Sequence, residues 1–203
     1  MSIDLALFCA HSNDPRTDLH KPWFDSGWIA ATDGAVLVAL SAAEASGTAL
    51  ASEKRSGSVA RFIEATAEQL DAHEIHLSSE RRSKCEACNG AGYELSIKCK
   101  ACDGEGEFSH CNHTYECKSC DGEGFHFFAA KATQAGAVRC VECNGLGKES
   151  QPVKIGAAWF QEKYLRRIAE LPDIKFFPPT DATKMAKFVF VGGIGFLMPY
   201  RHD

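Results

Sequence analysis

No stretch of this 203-residue chain is apolar for the ~18–20 residues that a membrane-spanning helix requires, so no helical anchor is expected. Basic charge is not in surplus either. Lys+Arg number 22 against 27 Asp+Glu, and the net charge of −5 excludes a protein carried onto nucleic acid or membrane by bulk charge. The short apolar run at 5–9 follows Asp4 and has no Lys or Arg before it, which is not a secretory layout. The cytosol is the expected compartment, with no membrane partner. Catalytic signatures are missing as well: the chain has no G-x-S-x-G, no Walker loop and no HExxH. Asp25, Asp33 and Asp181 are scattered, and turn duty accounts for them. A non-enzymatic protein is expected.

Cysteine, by contrast, is concentrated. Nine of the ten cysteines lie between positions 85 and 143. Without an export signal, such density points to metal or redox chemistry in preference to a disulfide scaffold. Eight of the nine form four copies of C-x-x-C-(Asn/Asp)-G-x-G, beginning at Cys85, Cys99, Cys117 and Cys140. A two-residue gap lets both thiolates of a tight turn face one cation at ~2.3 Å. Asn/Asp-Gly favours positive φ, which curls the chain so that backbone amides point at the sulfurs. Each repeat supplies two ligands and a closed structural zinc needs four, so four repeats make two closed sites and two Zn²⁺. Spacing alone permits three pairings of the four knuckles.

Over residues 85–147 the four repeats resemble the DnaJ-type cysteine-rich zinc domain. In that family the first knuckle pairs with the fourth and the second with the third. The resemblance therefore implies one zinc at Cys85, Cys88, Cys140 and Cys143, and another at Cys99, Cys102, Cys117 and Cys120. Cys111, in His110-Cys-Asn-His113, reads as part of a loop between knuckles, and Cys9 as a small core residue. Residues 84–148 carry 7 Lys+Arg and 9 Asp+Glu. Eight thiolates on two dications add −4 to that, leaving the metallated segment near −6, unlike a nucleic-acid-reading finger.

The flanking residues, 1–83 and 149–203, read as one interrupted domain around the 84–148 insert. Ile3, Leu5 and Leu7 alternate as in a strand. Two apolar runs around Asp33-Gly34 predict a hairpin. Residues 58–71 predict a helix with Ser58 as N-cap. His73 to Leu77 alternates as a strand with Ile75 and Leu77 inward. Residues 157–171 predict a second helix with Phe160, Tyr164, Ile168 and Leu171 on one stripe. A strand at 174–177 and a hairpin around Gly192-Gly193 complete an α+β, β-rich domain with two helices, interrupted by a small loop and hairpin double-zinc domain.

A second resemblance comes from the flanks. Ile29-Ala-Ala-Thr-Asp-Gly34-Ala-Val-Leu-Val-Ala is similar to the "ATDG" hairpin of bacterial DNA sliding clamps, the polymerase processivity factors. Residues 153–171 resemble the last clamp helix and its lead-in, and Phe188-Val-Phe-Val with Phe196-Leu-Met198-Pro199-Tyr-Arg201 resembles the closing strands and "MPMR" ending. The chain departs from both families. It lacks the His-Pro-Asp triplet and Gly/Phe-rich linker of DnaJ co-chaperones, and it has one domain where a bacterial ring needs six.

Three functions follow. The first is a zinc-dependent, non-catalytic interaction module, chaperone-like or adaptor, whose partner is another protein: an unfolded client or a replication or chaperone component. Phe125, Phe127 and Phe128 are its candidate client contacts. The second is a DNA-associated, clamp-like protein acting in replication, with Lys163, Arg166 and Arg167 as candidate phosphate contacts. The third is a thiol–disulfide oxidoreductase, which zinc occupancy would quench. The oligomeric state is not legible in the sequence.

Overall fold

The computed structural model describes residues 3–11, 14–43, 58–65, 71–77, 82–111 and 113–201. In chain order the elements are β1 (Trp23–Asp25), β2 (Trp28–Thr32), β3 (Val36–Ser41), α1 (Ser58–Ala65), β4 (Tyr93–Lys98), β5 (Glu107–His110) and β6 (His113–Glu116). Next come β7 (Phe125–Ala130), β8 (Val138–Arg139), β9 (Pro152–Ile155), β10 (Ala158–Gln161) and α2 (Glu162–Ala169). The last three are β11 (Lys175–Phe177), β12 (Ala186–Phe190) and β13 (Gly193–Leu197). Strand outweighs helix among the described residues, the architecture is α+β, and its sheets are open. No helix among those residues is long and apolar enough to cross a membrane.

The chain divides into two units. Met1–Ser79 and Gln151–Asp203 make the first, and Glu80–Ser150 the second. The first unit is built on a six-stranded sheet in the order β1-β2-β3-β13-β12-β11, so the strands before the insert and those after it join in one sheet through the β3–β13 pairing. Asp33 makes the turn of the β2–β3 hairpin, its Oδ1 accepting the amides of Ala35 and Val36 at 2.9 and 3.0 Å. β3 is apolar at nearly every position because both of its faces are covered. Val36, Val38 and Leu40 join Leu165 and Ile168 of α2 in one core layer. Leu37 and Ala39 join Trp23, Val59 and Phe196 in the other. α1 covers this second face, with Phe62 stacked on Phe196 at 5.5 Å. Its N-terminus is tied down by Asp25, a buried carboxylate that accepts the Val59 amide at 2.9 Å. Asp25 thus does more than the turn duty expected of it.

Three local expectations give way. The alternation at Ile3, Leu5 and Leu7 is not a strand but a 3-10 turn, Leu5–Phe8. Asp4 accepts the Ala6 amide at 3.0 Å and closes the chain, which puts Leu5 and Phe8 together in the core. Residues 157–171 are not helical throughout. β9 and β10 form a hairpin in which Phe160 pairs with Val153, and α2 begins only at Glu162. Phe160 is buried all the same, edge-on to Phe176 at 5.4 Å. The segment from His73 to Leu77 makes one bridge, His73 with Phe176, while Ile75 and Leu77 pack on the core as expected. In the first helix, Ser58 is the first helical residue; its side chain and residues 66–70 lie outside the described residues.

The β12–β13 ladder depends on glycine for packing. Gly195 sits opposite Phe188 and Gly193 opposite Phe190. A Cβ on Gly195 would overlap the Phe188 ring and approach the Leu37 carbonyl oxygen to 2.7 Å. The ring therefore lies flat across the glycine, an aromatic covering a gap that a side chain would have filled. Gly195→Ala should lose about 2 kcal/mol in urea denaturation through overpacking. Phe188→Leu in the Gly195→Ala background should recover part of that loss. Strict additivity of the two substitutions would disprove the contact.

Candidate metal centres

The second unit is organised by its cysteines. In each repeat the Asn or Asp and both glycines have positive φ: Asn89 (48°), Gly90 (81°) and Gly92 (77°) in the first, with the same pattern in the other three. This curl aims the amide of the last glycine at the second cysteine of its own repeat. Gly92 donates to Cys88 Sγ and Gly147 to Cys143 Sγ at 3.2 Å, and Gly106 to Cys102 Sγ and Gly124 to Cys120 Sγ at 3.3 Å. Such amides orient a thiolate and offset its charge.

The structure brings the first repeat to the fourth and the second to the third. Cys85, Cys88, Cys140 and Cys143 have their sulfurs within 4.8 Å of one another, as do Cys99, Cys102, Cys117 and Cys120. All eight side chains are buried. Cross-repeat sulfur distances are 3.9 Å for Cys85–Cys140 and Cys99–Cys117, and 3.7 Å for Cys88–Cys143 and Cys102–Cys120. A tetrahedron with ~2.3 Å metal–sulfur bonds has an edge of about 3.8 Å. The two clusters could therefore hold two metal ions, and their all-thiolate, four-coordinate donor sets fit zinc.

The last glycine of each repeat also joins the repeats. Cys140 N donates to Gly92 O at 2.9 Å and Cys85 N to Gly147 O at 3.1 Å, a reciprocal clasp that Cys117–Gly106 and Cys99–Gly124 repeat at 2.7 and 2.8 Å. A Cβ at Gly92 would meet the Gly145 carbonyl oxygen at 2.5 Å. Two knuckles can close on one ion only if neither carries a side chain there.

Protons compete for these sulfurs. Burial pushes the Cys120 thiol up to about 12, and raises Cys140 and Cys143 as well. Burial works against the Cys99 thiolate too, but the amides of Cys102 and Ala101 more than offset it and hold that group at about 6. Without a cation each cluster retains protons, so metal binding must displace them. Cys9 lies apart, half-buried, its thiol raised to about 12 by burial and then by Asp4 and Asp33. Cys111 is exposed at the β5–β6 turn and belongs to neither cluster. Among the described residues no third group of ligands converges.

The other candidate residues are placed as follows. Phe128 is 52% exposed on β7, while Phe125 and Phe127 are half-buried on the opposite face of the same strand. Arg166 binds the fully buried Glu162 through Nε at 2.9 Å and Nη2 at 2.7 Å. Arg167 lies over the Phe8 and Tyr164 rings at 5.5 and 5.9 Å, and Lys163 over Tyr164 at 5.5 Å. The buried carboxylate escapes sequence reasoning; its only signal is the i, i+4 spacing of Glu162 and Arg166. A cavity of about 410 Å³ in the first unit is lined by Trp23, Leu37, Phe62, Phe196 and Met198 among others, and Arg16 is the ionisable wall among its described lining residues. Arg16 is paired with Asp14 at 2.7 Å.

No protein family's profile matches the chain, nor does any curated protein or solved structure.

Two outcomes follow from this geometry. The inner cluster, with partners 18 residues apart, closes a shorter loop than the outer, with partners 55 apart. Loop entropy favours the inner centre by about 1 kcal/mol. During chelator titration, native mass spectrometry should show a one-metal species that persists in Cys85→Ser/Cys88→Ser. Its equal persistence in Cys99→Ser/Cys102→Ser would refute the order. Separately, Arg166→Ala should cost about 3 kcal/mol, the lower end for breaking a buried pair because Arg166 is partly exposed, as read by urea denaturation. Lys163→Ala should cost under about 0.5 kcal/mol.

Proposed function

We propose that this protein is a zinc-binding, non-catalytic interaction module, chaperone-like or adaptor, that contacts an unfolded client or another protein component. The observation that carries this reading is the closure of both cysteine clusters. Every coordination position is a buried thiolate, so no place remains for a water or substrate, and the metals act as structural cross-links. Around them the second unit displays large apolar side chains to solvent: Ile97, Phe108, Tyr115 and Phe128 are 43–52% exposed. A unit that spends its metals on rigidity and leaves aromatics outside is suited to contact. The DnaJ-type resemblance points the same way. The cytosol is the compartment that suits eight reduced thiols.

A DNA-associated, clamp-like role is the second reading. It is favoured by the direct pairing of β3 with β13, which joins two of the three segments that carry the clamp resemblance. Against it, Arg166 and Arg167 are committed to Glu162 and to aromatic rings, which leaves little basic surface on α2.

The test is suppression of aggregation of a chemically denatured model protein, by the metal-loaded chain and by the chain after chelation. Loaded protein should suppress aggregation and chelated protein should lose that effect. Equal behaviour of both would reject the module reading. Retention of the loaded protein on duplex DNA, sensitive to Lys163→Glu, would favour the second.

A further inference from the structure

We propose that the β5–β6 hairpin is the docking surface for a basic, arginine-bearing segment of a partner protein; this deepens the interaction-module reading and rests on it. The hairpin is a two-stranded sheet by itself, and every residue of both strands is exposed. Its register sets Phe108 opposite Tyr115 and His110 opposite His113, with Glu107 opposite Glu116. Directly opposed residues share a face and faces alternate along a strand. One face is therefore wholly aromatic, Phe108, His110, His113 and Tyr115, while the other carries the carboxylates.

Among the described residues, neither Phe108 nor Tyr115 belongs to a buried apolar cluster, and the cluster of the inner metal centre consists of its four cysteines alone. Phe108 and Tyr115 are 43% and 51% exposed, and the His113 and Tyr115 rings meet edge-on at 6.4 Å. An isolated two-stranded hairpin is marginal in water. This one is held at its base, where Cys117 N donates to Gly106 O at 2.7 Å. The fold thus maintains an aromatic face that lies outside the core clusters of the described residues.

Charge complementarity names the occupant. Between Cys99 and Gly124 there are six Asp and Glu against Lys100 and Lys118. Lys118 is drawn onto Glu116 at 3.0 Å. A four-thiolate zinc centre adds −2, so the formal charge of this segment is −6. Such a surface repels nucleic acid and anionic lipid. Guanidinium groups satisfy both of its faces: they stack on Phe and Tyr rings and form forked hydrogen bonds with carboxylates.

The test uses the full, zinc-loaded chain and a fluorescein-labelled twelve-residue peptide alternating Arg with Gly and Ser, followed by anisotropy. A Glu-for-Arg peptide and a neutral Leu/Phe peptide serve as comparisons. The Arg peptide should bind, with affinity falling as salt rises, and the Glu peptide should not. Phe108→Ser/Tyr115→Ser should weaken binding about tenfold, as should Glu107→Gln/Glu116→Gln, with two zincs retained in each by native mass spectrometry. If the aromatic variant loses zinc, the carboxylate variant carries the test. Unchanged affinity in a zinc-loaded variant, or equal binding of the Arg and Glu peptides, overturns the proposal. Binding of the neutral peptide alone overturns it while leaving the module reading intact. Absence of all peptide binding overturns it too, and the aggregation assay then decides the module reading independently.

Discussion

The convergence of eight cysteines into two clusters that could each hold a metal ion is the constraint on which the second unit depends. Among the described residues its buried apolar clusters amount to two sets of four cysteines, the outer one joined by the half-buried Leu146. Among the described residues no layer of aliphatic side chains offsets the conformational entropy of ordering some seventy residues, which runs to about 1–2 kcal/mol per residue for backbone alone. Structural zinc contributes on the order of 10 kcal/mol per site. Metal bound at the two clusters would therefore couple directly to folding of this unit. The reciprocal amide–carbonyl clasps explain why the repeats come in pairs: each knuckle completes the hydrogen bonding of the other as both close on the ion.

The first unit is held differently. Its sheet is covered on both faces, and the two layers meet through the alternating residues of β3. Because β3 precedes the insert and β13 follows it, the central pairing of this sheet joins distant parts of the sequence. Among the described residues, the two buried carboxylates of this core each have a partner. Asp25 receives the Val59 amide of α1, and Glu162 receives the Arg166 guanidinium. Burying either carboxylate without its partners would cost more than the local packing returns.

The sequence was most legible where one residue determines its own surroundings. Asp33-Gly34 announces a hairpin because the Asp carboxylate takes the next amides itself, and the four Asn/Asp-Gly pairs announce knuckles because the left-handed backbone they tolerate is required there. It was least legible where one spacing serves two structures. Leu5 and Phe8 fit a 3-10 turn as well as Ile3, Leu5 and Leu7 fit a strand, and Asp4 decides between them. Phe160, Tyr164 and Ile168 recur every four residues, yet Phe160 sits on β10. The turn at Gly156, with φ of 62°, folds β10 back on β9 before the helix can begin. Knuckle pairing was beyond spacing altogether. It is set by which glycine carbonyl meets which cysteine amide, a contact between residues tens of positions apart.

Two centres do what one could not. β4 starts directly after Gly92 and ends directly before Cys99, while β7 starts directly after Gly124. The six-residue ladder between them thus runs from one metal cluster to the other. A ladder pinned at one end can slip by a residue, and a slip exchanges its faces. In this ladder a one-residue slip of β4 would carry Ile97 to the face opposite Phe128 and bring buried Glu94 to the face that Ile97 leaves. Metal at both clusters would pin both ends of the ladder and remove that freedom. The same rigidity frees the side chains of the segment from structural duty, so aromatic and acidic residues beyond the inner centre can be selected for what they touch.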